Sequence, residues 1–183
     1  MNITFNEWGA HDWLYRFCGC GGPLGFFSFD FYPLKKKYFL RGGAMSITLT
    51  EKQNIGLKLA VQRFINNEKY TIISGFAGSG KSTLVKFIIN SLPGIDPDKD
   101  VVYTSYTGKA AQVLLKKGNK NVMTLHKLLY ESIPKPDGTF FRKPKTKIDY
   151  KIVVVDEVSM APRILMELLF KHDVFIIALG DPF

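Results

Sequence analysis

The stretch "GFAGSGKS", Gly75 to Ser82, lies between an apolar run, Tyr70–Ser74, and a run of helix-forming residues that begins at Lys81. No other feature constrains the fold as strongly. A G-x4-G-K-S sequence lets backbone N–H groups wrap a phosphate without side-chain obstruction, and the N-terminus of the following helix adds its dipole. The loop therefore demands a strand that ends, and a helix that starts, at one point. Lys81 is placed to reach the β- and γ-oxygens of a triphosphate as a point charge, and Ser82 to offer its hydroxyl to Mg²⁺.

The surrounding pattern agrees. Apolar and turn-forming residues predict a helix over Thr50–Asn67, a strand over Tyr70–Ser74, a helix over Lys81–Leu92 and a strand over Val101–Ser105. A helix Gly108–Lys117 closed by Gly118, a short helix near Thr124–Tyr130 and a basic loop follow. Strand Ile152–Asp156, helix Pro162–Lys171 and strand Val174–Leu179 complete the series. Strands apolar on both faces and separated by helices imply an α/β fold with a parallel sheet covered on both sides.

A phosphate loop needs a carboxylate at the end of a neighbouring parallel strand, because the sheet's carboxyl ends open onto the ligand. "IVVVDE" supplies two. Asp156 would hold Mg²⁺, largely through water, and Glu157 would orient and polarise an attacking water. Gln53 fits either a contact to an adenine edge or a helix capping box with Thr50. Asp181 fits either a sensor of the γ-phosphate or an acid in a loop.

The formal charge of +9 points to an anionic partner, without choosing among nucleic acid, nucleotide and membrane surface. No apolar run approaches the roughly 18 residues that span a bilayer. Cys18 and Cys20 are one residue apart, too close for an ordinary bridge and too few for a zinc cage. The expectation is a soluble, cytoplasmic protein. Of the 25 aromatic residues, 12 lie in the first 44 positions, where neither helical nor strand periodicity is sustained. Residues 1–44 read either as upstream sequence translated ahead of a start at Met45 or as an aromatic-rich extension. The alternating strand–helix pattern runs over 45–183.

In order, "LTEKQ", "GFAGSGKST", "TGKAA", "TLHKLL", "VVVDEVSM" and "LGDPF" resemble motifs Q, I, Ia, Ib, II and the start of III of superfamily 1B helicases, most of all the RecD/Dda-type DNA helicases of bacteria and phages. The resemblance implies a RecA-like ATPase domain that uses ATP and Mg²⁺ to move 5′ to 3′ on single-stranded DNA and to open forked DNA. Replication or recombination proteins would be further partners, and no membrane would be involved.

It also implies roles. Gln53 would read adenine, while Gly75, Gly78, Ser79, Gly80, Lys81, Ser82 and Thr83 would surround the phosphates, with Asp181 beside them. Lys81, Asp156 and Glu157 would serve catalysis, and Ser82 and Asp156 the metal. Thr107, Gly108 and Lys109 would grip the DNA backbone, and Thr124 and His126 would touch DNA. Tyr106 departs from the proline often found before T-G-K, and fits either a base-stacking or a space-filling role.

Between the Ib-like and II-like motifs, Asp137-Gly138 is a turn signal flanked by short extended runs, with Phe140 and Phe141 among Lys135, Arg142, Lys143, Lys145 and Lys147. The resembling helicases carry a duplex-splitting β-hairpin here, so a small hairpin insertion is expected near 132–148. The alternative is a solvated basic loop. In those helicases a γ-phosphate-contacting glutamine stands one position beyond the equivalent of Phe183, and a second RecA-like domain brings an arginine finger. The expectation is thus an N-terminal motor portion that by itself binds nucleotide without unwinding. Other readings are a different P-loop ATPase or nucleotide kinase, and a non-catalytic nucleotide- or nucleic-acid-binding fragment.

Overall fold

The computed structural model describes residues 48–136 and 138–181. Met45, the aromatic-rich first 44 residues with Cys18 and Cys20, Asp137 and Phe183 lie outside the described residues.

Helix α1 (Glu51–Ile65) starts where Thr50 Oγ1 accepts the Gln53 amide hydrogen and Gln53 Oε1 accepts that of Thr50, a reciprocal cap that satisfies two otherwise orphaned donors. Strand β1 (Tyr70–Ser74) leads into the glycine loop and helix α2 (Lys81–Ser91). Strand β2 (Val101–Ser105) leads into α3 (Gly108–Lys116), and the short β3 (Val122–Thr124) into α4 (Leu125–Leu129). Strands β4 (Tyr130–Pro134) and β5 (Phe140–Pro144) form a separate antiparallel hairpin. Strand β6 (Ile152–Asp156), a 3₁₀ turn at Val158–Met160, helix α5 (Arg163–Phe170) and strand β7 (Phe175–Gly180) follow.

Five strands make one parallel sheet in the order β1-β7-β6-β2-β3. Its central strands alternate between two cores. Ile152 and Val154 of β6 and Phe175, Ile177 and Leu179 of β7 pack with α1 and α2 residues such as Leu57, Leu84 and Ile88. Val153, Val155, Ile176 and Ala178 face the opposite side, with Leu125, Leu129, Leu165 and Leu169. A period of two buried on both faces is what a covered parallel sheet requires. Truncating one of the fully buried residues, such as Leu84 or Ile177, would cost about 2–5 kcal/mol.

At the amino ends of the strands, Asp100 accepts the Asp96 amide hydrogen at 2.8 Å and the Lys151 ammonium at 3.3 Å. The first of these, with help from the second, holds its carboxyl below the usual range. Asn121 adds hydrogen bonds to the Asp98 and Val101 carbonyls, fixing the start of β2 against β3. The opposite edge is left for chemistry.

Candidate nucleotide and strand-binding edge

Because all five strands are parallel, every loop that follows a strand leaves from the same edge. The register is tight: Ser74 pairs with Gly180, Val155 with Ala178, Ser105 with Asp156, and Ser105 also with Thr124. Read across the sheet, the edge presents the glycine loop, Asp181, the Asp156–Glu157 pair, the Thr107 loop and then Thr124 with His126. At roughly 4.8 Å between strands, this row spans about 19 Å from β1 to β3.

The glycine loop is built around positive φ. Gly78 (φ 76°) and Gly80 (φ 85°) adopt left-handed backbone, which costs other residues roughly 1–2 kcal/mol. Gly80 caps α2 without any side-chain hydrogen bond, so the helix presents its first amides to the loop's concavity. Ser79 is buried, and its Oγ has no hydrogen-bond partner among the described residues. An orphaned buried hydroxyl among convergent amides fits a bound oxyanion. Lys81 Nζ donates to the carbonyls of Gly75 and Phe76, the latter at 3.2 Å, and to Asp181 Oδ1 at 2.6 Å. Ser82 and Thr83 lie half-buried in the first turn of α2.

Gln53 meets this loop from the side. Its Nε2 donates to the Ser79 carbonyl at 3.4 Å, and a Cβ on Gly80 would sit 3.2 Å from that nitrogen. The capping box and the position beside the nucleotide loop therefore coexist in one side chain, each using a different end of the amide.

Asp156 stands half-buried at the tip of β6, where its Oδ1 accepts the Glu157 amide hydrogen at 3.1 Å. Glu157 is exposed and sits at φ 51°, ψ 48°, left-handed backbone of the kind that stores strain at reactive positions. Among the described residues no group of three or more His, Cys, Asp or Glu side chains is arranged to hold a metal ion. A cation between Ser82 and Asp156 would be completed by phosphate oxygens and water. Mg²⁺ suits such a site because it keeps several waters and binds through one or two carboxylates plus phosphates.

The remaining sequence-derived candidates occupy the far half of the edge. Thr107 Oγ1 accepts the Ala110 amide hydrogen at 3.2 Å and so caps α3; its carbonyl accepts Ser105 Oγ at 2.9 Å. Gly108 and Lys109 are exposed beside it. Thr124 Oγ1 accepts the Lys127 amide hydrogen at 3.3 Å and caps α4. In both caps the hydroxyl oxygen is an acceptor, so each threonine keeps its O–H as a donor beside the exposed backbone and Lys109.

His126 is flanked by Tyr106 and Tyr130. Phe140 is 69% exposed and Phe141 52% exposed, and the alternation of a strand sends neighbouring side chains to opposite faces of the hairpin. The hairpin turn is closed by the Lys135 amide hydrogen on the Thr139 carbonyl and by Gly138 at φ 77°.

Three relationships escaped the sequence reading. The direct pairing of Lys81 with Asp181 joins residues a hundred positions apart, and the sequence placed Asp181 only near the phosphates, not on the lysine. The short β3 was hidden by its length of three residues. The His126–Tyr130 stack did have a signal, since helical spacing of four places two rings on one face.

A family model described as an AAA domain matches residues 58–182. The ATP-dependent DNA helicase Dda of Enterobacteria phage T4 is 27% identical over 126 residues, which cover 67% of this chain and 28% of that protein. The chain therefore spans less than a third of that relative's length. Among solved structures, the large terminase of the HK97 bacteriophage superposes with a TM-score of 0.45 at 16% identity, covering 75% of this chain and 34% of that one. The chain belongs to the AAA domain family.

Proposed function

We propose that this chain is the nucleotide-binding motor portion of an ATP-dependent DNA helicase that travels 5′ to 3′ along single-stranded DNA and opens forked DNA. The observation that carries the reading is the arrangement along one sheet edge. Phosphate-binding elements on β1, β7 and β6 stand beside strand-binding candidates on β2 and β3, with a basic, aromatic-tipped hairpin beyond. A motor needs this adjacency, because the state of the phosphates has to be felt where the strand is held.

In this reading the amides of Gly78 to Ser82 and the Lys81 ammonium hold the β- and γ-phosphates, and Ser82 and Asp156 hold Mg²⁺. The cation neutralises charge that develops on the phosphate oxygens. Glu157 accepts the proton of the attacking water, and its exposed position beside Asp156 leaves room for that water. Gln53 offers the adenine edge one free N–H on Nε2 and one free lone pair on Oε1, since its other donor and acceptor sites are taken by Ser79 and Thr50. Thr107 to Lys109 and the α4 segment around His126 hold the strand, and the lysines of the hairpin, with Arg142, attract phosphates.

An arginine supplied by a partner domain is worth about 10³–10⁵ in phosphoryl-transfer rate, so the chain by itself should bind ATP and turn it over slowly. The test is ATP hydrolysis with and without single-stranded DNA, in the 183-residue chain and in a longer polypeptide that carries it. Stimulation by single strands in the longer form supports the motor reading. Hydrolysis indifferent to DNA favours another P-loop ATPase or a nucleotide kinase, and salt-sensitive DNA binding without hydrolysis in either form favours a non-catalytic binder.

A further inference from the structure

Three half-buried rings stand in line between the strand-binding edge and the hairpin. The centroids of Tyr106 and His126 are 5.8 Å apart with planes at 42°, and those of His126 and Tyr130 are 6.3 Å apart at 27°. The two ends of this ladder belong to different parts of the molecule. Tyr106 runs directly into Thr107, the cap of α3, while Tyr130 closes α4 and is the first residue of β4. Both tyrosines pack against the same buried cluster that holds Leu125, Leu128 and Leu129.

The hairpin itself has little to hold it. Every residue of its two strands beyond Tyr130 is exposed, and a lone two-stranded ribbon has marginal stability in water. Its direction is therefore set at its root, where the Lys145 amide hydrogen meets the Leu129 carbonyl at 2.8 Å and the Tyr130 ring meets His126. Stacked rings resist tilting and sliding in a way that aliphatic contacts do not, because their attraction depends on offset and angle.

We propose that Tyr106 and Tyr130 are positioning residues that act through His126: the ring ladder fixes the hairpin's direction relative to the Thr107–Lys109 loop, so that a strand gripped there meets the hairpin at a constant distance. The proposal rests on reading the hairpin as the element that engages a duplex fork.

The test is equilibrium binding by the 183-residue chain, followed by fluorescence anisotropy, of a single-stranded oligonucleotide and of a forked duplex carrying the same single strand. Wild type should prefer the fork. Tyr130→Leu, which keeps much of the apolar volume and removes the ring, should reduce that preference roughly two- to tenfold, the span of one aromatic pair, read as the ratio of fork to single-strand affinity so that any change in strand grip through His126 cancels. Tyr130→Phe should keep it. Tyr106→Leu breaks the ladder from its other end, tests the proposal should the first variant fold poorly, and should produce the same loss.

A Tyr106→Leu or folded Tyr130→Leu chain that retains the wild-type fork preference overturns the ladder's role, as does a Tyr130→Phe chain that loses it. Equal affinity of wild type for both oligonucleotides overturns the reading of the hairpin, and the relay with it.

Discussion

Lys81 Nζ lies 2.6 Å from Asp181 Oδ1, so the ammonium at the heart of the glycine loop is already paired with a carboxylate from the end of β7. Lys81 is largely covered, whereas the Asp181 side chain is 65% exposed and free to swing away. A phosphate arriving at Lys81 competes with that carboxylate for the same charge. Asp181→Asn should therefore tighten binding of a fluorescent ATP analogue by about two- to fivefold, the scale of a solvent-exposed ion pair. Lys81→Ala should weaken it by about tenfold or more, since hydrogen bonds to charged groups contribute about 1.5–3 kcal/mol. Weaker binding by Asp181→Asn would show that Asp181 supports the nucleotide directly.

One substitution separates the cap that Gln53 makes from the adenine contact proposed for it. Glu at this position keeps an oxygen for the Thr50 amide and so preserves the capping box. It lacks the Nε2 donor that reaches Ser79 and that would meet an adenine ring nitrogen. Gln53→Glu should leave the urea midpoint nearly unchanged while reducing the preference for ATP over GTP about tenfold or more. Gln53→Ala should lower both, with a stability loss of about 0.5–1 kcal/mol.

Glu157 occupies left-handed backbone at φ 51°. Glycine has no steric penalty there, so Glu157→Gly should raise stability by up to about 1 kcal/mol in urea unfolding while abolishing ATP hydrolysis. Glu157→Gln should leave stability unchanged and lose hydrolysis equally. A Gly variant less stable than wild type would mean that contacts of the carboxylate outweigh the backbone strain.

His172 gives the fold a defined acid sensitivity. Its Nε2 is buried without a partner among the described residues, and burial, aided by the nearby Lys69 ammonium, holds the imidazole below its ordinary value of 6.5. The unfolded chain takes up this proton more readily than the folded one. The associated stability is therefore fully present above the ordinary value and declines as pH falls below it towards the folded pKa. Urea midpoints measured between about pH 7.5 and about pH 5.5 should fall more steeply for wild type than for His172→Leu. Parallel pH profiles would remove His172 from the account.

Phe140 and Phe141 contribute little to folding, because both are exposed. Replacing both with alanine should change stability by less than about 0.5 kcal/mol. In a longer polypeptide that unwinds DNA, the same change should abolish strand separation at unchanged ATP hydrolysis. Intact unwinding would leave the hairpin as a solvated basic projection.

The parallel sheet was legible because its strands, such as Ile152–Asp156 and Phe175–Gly180, are apolar on both faces and alternate with capped helices. The glycine loop was legible because phosphate binding imposes residue types at fixed spacing over eight neighbouring positions, Gly75 to Ser82. What stayed hidden depends on distance along the chain. The resemblance put Asp181 beside the phosphates that Lys81 would reach but gave no direct pairing of the two side chains, and nothing near Tyr106 indicates a histidine twenty residues later. Gln53 lay between these cases. The capping box is present through Oε1, and Nε2 meets the Ser79 carbonyl, so the cap leaves the adenine reading open, a division invisible to sequence, which treats a side chain as one group.

The hydrogen bond from Lys145 to the Leu129 carbonyl closes the neck of the hairpin, so the chain returns to the body where it left it. A segment inserted this way can lengthen, shorten or change its tip without moving either flanking core residue, and lengthening a closed loop carries only a slowly growing entropic cost. The hairpin is thus the part of this domain most open to divergence among relatives and to grafting by design: its tip can vary while Leu129, held in the core, keeps the neck in place.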